Sequence, residues 1–172
     1  MPAVLIVAYG NPFRGDDGLA WRAADALGGK FPKSRVEILC LHQLAPELAE
    51  TAGRFECVIF VDAASTQTGE PGEICVEEIR GEAISKNEGA AFGHSLSPAA
   101  VLALAANLYG AKPQAFSVTV TGEDFGHGDQ LSPSVTAALP DLISRIELLV
   151  QSTLSRDSLV PKPGERSTQD LV

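Results

Sequence analysis

An apolar run, Ala3-Val4-Leu5-Ile6-Val7-Ala8, passes through a turn rich in Gly, Asn and Pro straight into a helical pattern. The run has the length and β-branched content of a buried strand. In the helical pattern Leu19, Ala23 and Leu27 share one face, with Ala20 and Ala24 beside them. A strand, a tight glycine-containing loop and a helix form the first ligand loop of many α/β domains. Here the loop is Tyr9-Gly10-Asn11-Pro12-Phe13-Arg14-Gly15-Asp16-Asp17-Gly18, and it ends in two adjacent carboxylates. A phosphate-binding loop offers bare N–H groups and usually a Lys, so this one inverts the preference: it repels anions and welcomes a cation.

The rest of the chain repeats the alternation. Gly28-Gly29 ends the first helix, and Val36–Leu41 alternates as a strand before His42-Gln43-Leu44. A short helix is expected from Pro46 to about Thr51, then a buried strand Cys57–Val61 that terminates at Asp62. Glu73–Ile79 alternates as a half-exposed edge strand does. Residues 80 to 93 read as a surface loop. Ser97-Pro98 is an N-cap with proline at the first helical position, opening an almost wholly apolar helix to Tyr109 that predicts heavy burial, closed by Gly110. Phe116–Thr121 is the last strand, and Ser132-Pro133 opens a final helix to about Ser152, kinked or divided at Pro140.

The order β-α-β-α-β-β-α-β-α predicts a single three-layer α/β domain over residues 1–152. Its central sheet is mainly parallel with one antiparallel edge strand, and helices cover both faces. From Thr153 on, prolines and scattered charges show no core-facing pattern, and residues 153–172 read as a disordered tail.

The 172 residues suit one domain, and no uncharged apolar run is long enough to span a membrane. Met1-Pro2-Ala3 enters the first strand without a charged leader region. A net charge of −9 argues against nucleic acid and acidic membrane surfaces as partners. Cys40, Cys57 and Cys75 are widely spaced in strand-like runs and read as buried small hydrophobes of a reducing, cytoplasmic compartment.

Ligands of parallel sheets gather beyond the carboxyl ends of the strands. The residues leaving those ends are the 10–18 loop, His42, Asp62 and Gly93-His94-Ser95. Asp17, Asp62 and His94 together offer two hard oxygens and an imidazole, a mixture that zinc or nickel accepts, with positions left open for a substrate group. Blander roles are open for each. Asp16 or Asp17 can cap the first helix, Asp62 can cap the turn after its strand, and a lone His is often purely structural. His42 or His127 can replace His94 if the sheet order brings either closer. No Ser sits in a G-x-S-x-G elbow, no thiol lies in a polar pocket beside a His, and no G-x-G-x-x-G follows the first strand.

Three segments in order, Gly10-Asn11-Pro12-Phe13-Arg14-Gly15-Asp16-Asp17-Gly18, Val61-Asp62-Ala63 and His94-Ser95-Leu96-Ser97-Pro98, resemble the hydrogenase maturation endopeptidases. His42-Gln43-Leu44 with Pro46-Glu47-Leu48 is similar to one branch of that family. The resemblance runs from Val4 to about Val150. It implies a mostly parallel sheet between helices, and Asp17, Asp62 and His94 as ligands that recognise nickel, or another divalent metal in its place. That nickel is held in the precursor of a nickel–iron hydrogenase large subunit, whose C-terminal extension the protease removes. Asp17 and Asp62 are the expected catalytic carboxylates, and Asn11, Asp16 and His42 the expected substrate-facing residues, with Asp16 a cap or support for Asp17. A transient complex with the precursor suits a monomer. Asp17 stands where many members have Glu, Ser95 where close relatives often have a second His, and Ala20 where Gly is common. A non-catalytic nickel-binding assembly factor is the alternative function.

Overall fold

The computed structural model describes residues 2–81 and 96–157. His94, Ser95, most of the loop read over 80–93 and the tail from 158 lie outside the described residues.

Five strands form one sheet in the order β2-β1-β3-β5-β4: β1 (Val4–Tyr9), β2 (Val36–Leu41), β3 (Cys57–Ala64), β4 (Ile74–Ile79) and β5 (Gln114–Thr121). The β1–β2, β1–β3 and β3–β5 pairs are parallel, and β4 lies antiparallel along β5 at the edge. This is the mixed sheet expected from the alternation.

Strand side chains alternate between faces, and the two faces build two cores. Val4, Ile6 and Ala8 of β1 join Ile59 and Val61 of β3 on one face. There they meet Leu19, Ala23 and Leu27 of α1 (Leu19–Leu27) and Leu142, Ile146 and Val150 of α4 (Pro133–Asp157). Leu5, Val7, Val58 and Phe60 point to the other face. They meet Leu48, Ala49 and Ala52 of α2 (Leu48–Ala52) and Val101, Leu102 and Ala105 of α3 (Pro98–Tyr109). β1 through Ala8 and β3 through Val61 are buried because helices cover both of their faces, which explains their continuous apolar sequences.

α3 has the predicted bounds. The Ser97 hydroxyl accepts from the Ala100 N–H at 3.2 Å, and Gly110 takes the left-handed conformation, φ +65°, that ends the helix. Its burial is less complete than its composition predicts: Leu108 and Tyr109 in the last turn are exposed.

Other expectations change. β3 does not stop at Asp62 but pairs with β5 through Ala64, so Asp62 is a strand residue. Only Cys57 is buried; Cys40 and Cys75 are exposed because β2 and β4 are the sheet's two edges. α4 runs through Pro140 as one helix, its Val135, Leu142, Ile146 and Val150 all anchored in the core. It also continues past Ser152 to Asp157. Thr153 is buried and Leu154 packs against the core, extending the apolar stripe of Ile146 and Val150 by one turn. The ordered domain therefore passes residue 152. Among the described residues, no helix is long and apolar enough to cross a membrane.

Candidate functional site

From β1 the chain turns outward to β2 on one side, and β3 lies on the other. The crevice beyond the carboxyl ends of β1 and β3 is thus a topological switch point, where open α/β sheets bind ligands. Two sequence-predicted residues converge there, Asp17 from the loop after β1 and Asp62 from β3.

The loop is shaped by close backbone approaches. Gly10 has φ +137°, and a Cβ there would sit 2.2 Å from the Asp17 carbonyl oxygen and 3.0 Å from Asp17 Oδ1. Only glycine lets the chain fold back so tightly. The Asn11 N–H then donates to Asp17 Oδ2 at 2.7 Å, and Asn11 Oδ1 accepts from the Phe13 N–H at 2.9 Å. Asn11, expected to face substrate, thus spends its backbone N–H on orienting Asp17 and its side-chain oxygen on closing the turn.

Of the roles expected for Asp16, the structure shows the supporting one and neither the substrate-facing nor the capping one. The side chain is fully buried and turned away from the crevice. Asp16 Oδ2 accepts from the N–H groups of Glu123 and Asp124 at 2.8 and 2.9 Å and from the Ser132 hydroxyl at 2.8 Å, while Oδ1 accepts from the Ser132 N–H at 2.7 Å. Burial alone would raise its pKa, but these bonds to the ionised form win and hold it below the usual carboxylate range. A group so enclosed cannot touch a substrate, and neither Asp16 nor Asp17 caps α1, which has no side-chain cap. Asp16 instead supports its neighbour by clamping the loop to the segment after β5. Three backbone bonds complete the clamp: Gly15 N–H to Gly128 O at 2.9 Å, Asp16 N–H to Asp124 O at 2.8 Å, and Gly128 N–H to Phe13 O at 2.9 Å.

Asp62 sits in a drier setting. Asp62 Oδ1 accepts from the Ala63 N–H at 2.8 Å, and the Tyr9 phenol lies close enough to the same carboxyl group to interact with it electrostatically. Burial pushes the Asp62 carboxyl up to about 7; the negative charge of Asp17 adds to that, and the Ala63 N–H and the Tyr9 phenol only partly offset it. Burial and the Asp62 charge likewise raise the pKa of the Tyr9 phenol, so its hydroxyl stays protonated. Two carboxyl groups at one crevice, one dehydrated and repelled by the other, fit a divalent cation, whose charge would relieve both penalties.

His42 is exposed. Its ring meets Trp21 edge-on at 5.5 Å, and the Trp21 indole N–H donates to the Gly10 carbonyl at 3.0 Å. His42 therefore backs the loop through Trp21. Among the described residues no group of three His, Cys, Asp or Glu side chains converges as a metal site, so neither His42 nor His127 completes a set with Asp17 and Asp62. His94 lies outside the described residues, although α3, whose first residues follow it, stands on the same face as Asp62. Tyr9 and Trp21 are the residues that sequence reasoning passed over. Their signals were a polar aromatic at the end of an otherwise apolar strand and a Trp four residues after Asp17.

A doubly wound α/β domain with facing carboxyl groups at its switch point is the class that fold and site define. Comparison with protein-family models and with curated proteins finds no match. Solved structures do match. The hydrogenase maturating endopeptidase HybD from E. coli aligns with a TM-score of 0.67 at 22% identity, over 87% of this chain and 93% of that one. An endopeptidase from Escherichia coli solved in solution gives 0.66 at 23% identity, over 92% and 94%. The NiFe hydrogenase maturation protease HycI from Thermococcus kodakarensis KOD1 gives 0.65 at 21%, over 87% and 92%. The chain has the fold of the hydrogenase maturation endopeptidases.

Proposed function

We infer that this chain is a cytoplasmic, monomeric endopeptidase that matures a nickel–iron hydrogenase. Its substrate is the nickel-loaded large-subunit precursor, from which it removes the C-terminal extension. Asp17, Asp62 and His94 read the nickel that the precursor carries. The observation that supports this best is the meeting of Asp17 and Asp62 at the β1/β3 crevice of a fold shared with proteins named as hydrogenase maturation proteases.

The chemistry of the donors fits that role. Both are hard oxygen ligands, and the carboxyl of Asp62 can release its proton near neutral pH when a cation arrives. The chain's own residues would gain an interaction only with a metal-loaded precursor, which makes cleavage a checkpoint on loading. For the hydrolytic step, Asp62 holds or gives up a proton close to the operating pH, as a general acid or base must, while Asp17 lies across the crevice from it. Bound nickel, for its part, can supply Lewis-acid polarisation of the scissile carbonyl.

The test is incubation of purified precursor with the chain, with and without nickel, read as a mobility shift on a gel. Processing is expected only with nickel, and it is expected to vanish for folded Asp62→Asn. Normal cleavage by Asp62→Asn sinks the assignment of the site. Nickel binding without cleavage by the wild-type chain favours the non-catalytic assembly factor.

A further inference from the structure

Gly10 is held from two sides. Its N–H donates to the Leu41 carbonyl at the end of β2, at 3.0 Å, and its carbonyl accepts from the Trp21 indole N–H, also at 3.0 Å. The two bonds fall on different peptide planes, the first on Tyr9–Gly10 and the second on Gly10–Asn11. A trans peptide is planar, with its C=O and N–H pointing opposite ways, so a donor at the carbonyl also decides where the N–H points. The N–H of the second plane is that of Asn11, which donates to Asp17 Oδ2 at 2.7 Å. Trp21 and Asp17 are thus bonded to opposite edges of one peptide. Gly10, with no Cβ and φ +137°, offers little steric resistance to rotation of that plane, and the indole bond supplies the missing restraint. Bonding at the carbonyl also polarises the amide and strengthens its N–H as a donor. The other Asp17 oxygen, Oδ1, lies 3.0 Å from where a Gly10 Cβ would stand, so both carboxylate oxygens rest against this peptide. The His42 ring meets Trp21 edge-on at 5.5 Å. A phenylalanine could offer a ring to that contact; the indole N–H is what packing leaves unexplained.

We propose that Trp21 is the positioning residue for Asp17: its indole N–H fixes the Gly10–Asn11 peptide, and that peptide aims the carboxylate at the metal of the incoming substrate. The inference rests on the function proposed above and extends it to a residue behind the donors. The relay ties the loop to β2 through Leu41 and to α1 through Trp21, so Asp17 is set by the frame of the domain and not by the loop alone. Outer-shell hydrogen bonds of this kind orient metal ligands, and their loss typically costs about 10–100-fold in metal affinity or activity. The Asp16 clamp is a separate device, which holds the loop to Glu123, Asp124 and Ser132, and it serves as the control.

Two full-length chains are compared with the wild type. Trp21→Phe deletes the donor, and benzothienylalanine at the same position deletes it with the bicyclic bulk retained, sulfur standing where the N–H was. Trp21 is the single tryptophan, so its global replacement reaches no other site. The measurements are calorimetric titration with cadmium chloride, steady-state processing of nickel-loaded precursor, and amide-proton NMR. Both chains should fold, bind cadmium about 10-fold more weakly, and lose a similar factor in kcat with KM for the precursor unchanged. The Asn11 amide proton should move upfield as its bond to Asp17 slackens, while the Glu123 and Asp124 amides on the Asp16 clamp keep their positions. Wild-type affinity or kcat in the benzothienyl chain overturns the proposal, because any loss in Trp21→Phe is then one of bulk. An unmoved Asn11 amide overturns it as well. Displaced Glu123 and Asp124 amides, or failure of the benzothienyl chain to fold, overturn it by making the indole bond a general support of the loop. A wild-type chain that binds cadmium but leaves the precursor intact removes the proposed function, while the titration and the Asn11 amide still decide on Trp21. A wild-type chain that does neither overturns both.

Discussion

Asp16 and Asp17 are adjacent and chemically identical, yet the fold treats them as opposites. Asp16 is sealed, its two oxygens taking four hydrogen bonds from residues that follow β5. Asp17 is half-buried at the crevice and, among the described residues, accepts one, from the Asn11 N–H. One side chain spends its charge on structure and the other keeps it for a ligand. The division is made by what surrounds each carboxylate, not by the residue type. A pair of acids in a loop can therefore be a clamp and a site at once, with the clamp fixing where the site points.

Substitutions should separate the two roles. The largest effect is expected at the clamp. Asp16→Ala leaves the Glu123, Asp124 and Ser132 N–H groups without their acceptor and should cost about 4 kcal/mol of stability, read by urea unfolding at neutral pH. Because Asp16 is held below its ordinary value, its contribution is present above about pH 4 and lost as pH falls further, so the penalty of Asp16→Ala should shrink in acid. An unchanged unfolding midpoint would show that the clamp is redundant.

Asp17→Asn should do the reverse. Precursor processing should fall about 100-fold or more, while the unfolding midpoint moves by no more than about 0.5 kcal/mol. A stability loss as large as that of Asp16→Ala would erase the contrast between the neighbours.

A pH-dependent effect concerns Asp62, which shares the crevice with Asp17 and so sharpens the meaning of that side. Its carboxyl titrates near 7 in the fold but near 3.8 when unfolded. Between those values the folded chain binds the proton more tightly, so wild-type stability should decline as pH rises from about 4 to about 7. Asp62→Asn has no such proton. Relative to the wild-type chain it should melt about 10 °C higher at pH 8 than it does at pH 4, by calorimetry. Parallel melting curves across that range would place Asp62 in a wetter site than the one described.

Much of this organisation was legible in the chain. The buried strand before Gly10, the N-cap at Ser97, the glycine stop at Gly110 and the alternating edge strand are local patterns that periodicity and capping chemistry expose. Asp17 and Asp62 were legible as site candidates because parallel sheets present ligand residues at strand ends. What stayed hidden depends on non-local pairing. That Asp16 faces inward follows from contacts with Glu123, Asp124 and Ser132, more than 100 positions away. That Tyr9 comes to lie near Asp62 follows from the register of β1 on β3. The exposure of Cys40 and Cys75 follows from which strands end the sheet. The extra turn of α4 rests on Thr153 and Leu154, too few residues to show a period of their own.

The clamp on Asp16 also sets a schedule for the chain's own birth. The last donor to this carboxylate, Ser132, is made 116 positions after it, and Gly128, which pairs with the other side of the loop, emerges only shortly before. A nascent chain can pair β1, β2 and β3 before Ser132 is made, yet the loop between β1 and α1 cannot be pinned until the turn after β5 has left the ribosome. Competence of the crevice thus waits on the segment that follows β5, and a chain released before Ser132 would present Asp16 and Asp17 on an unclamped loop.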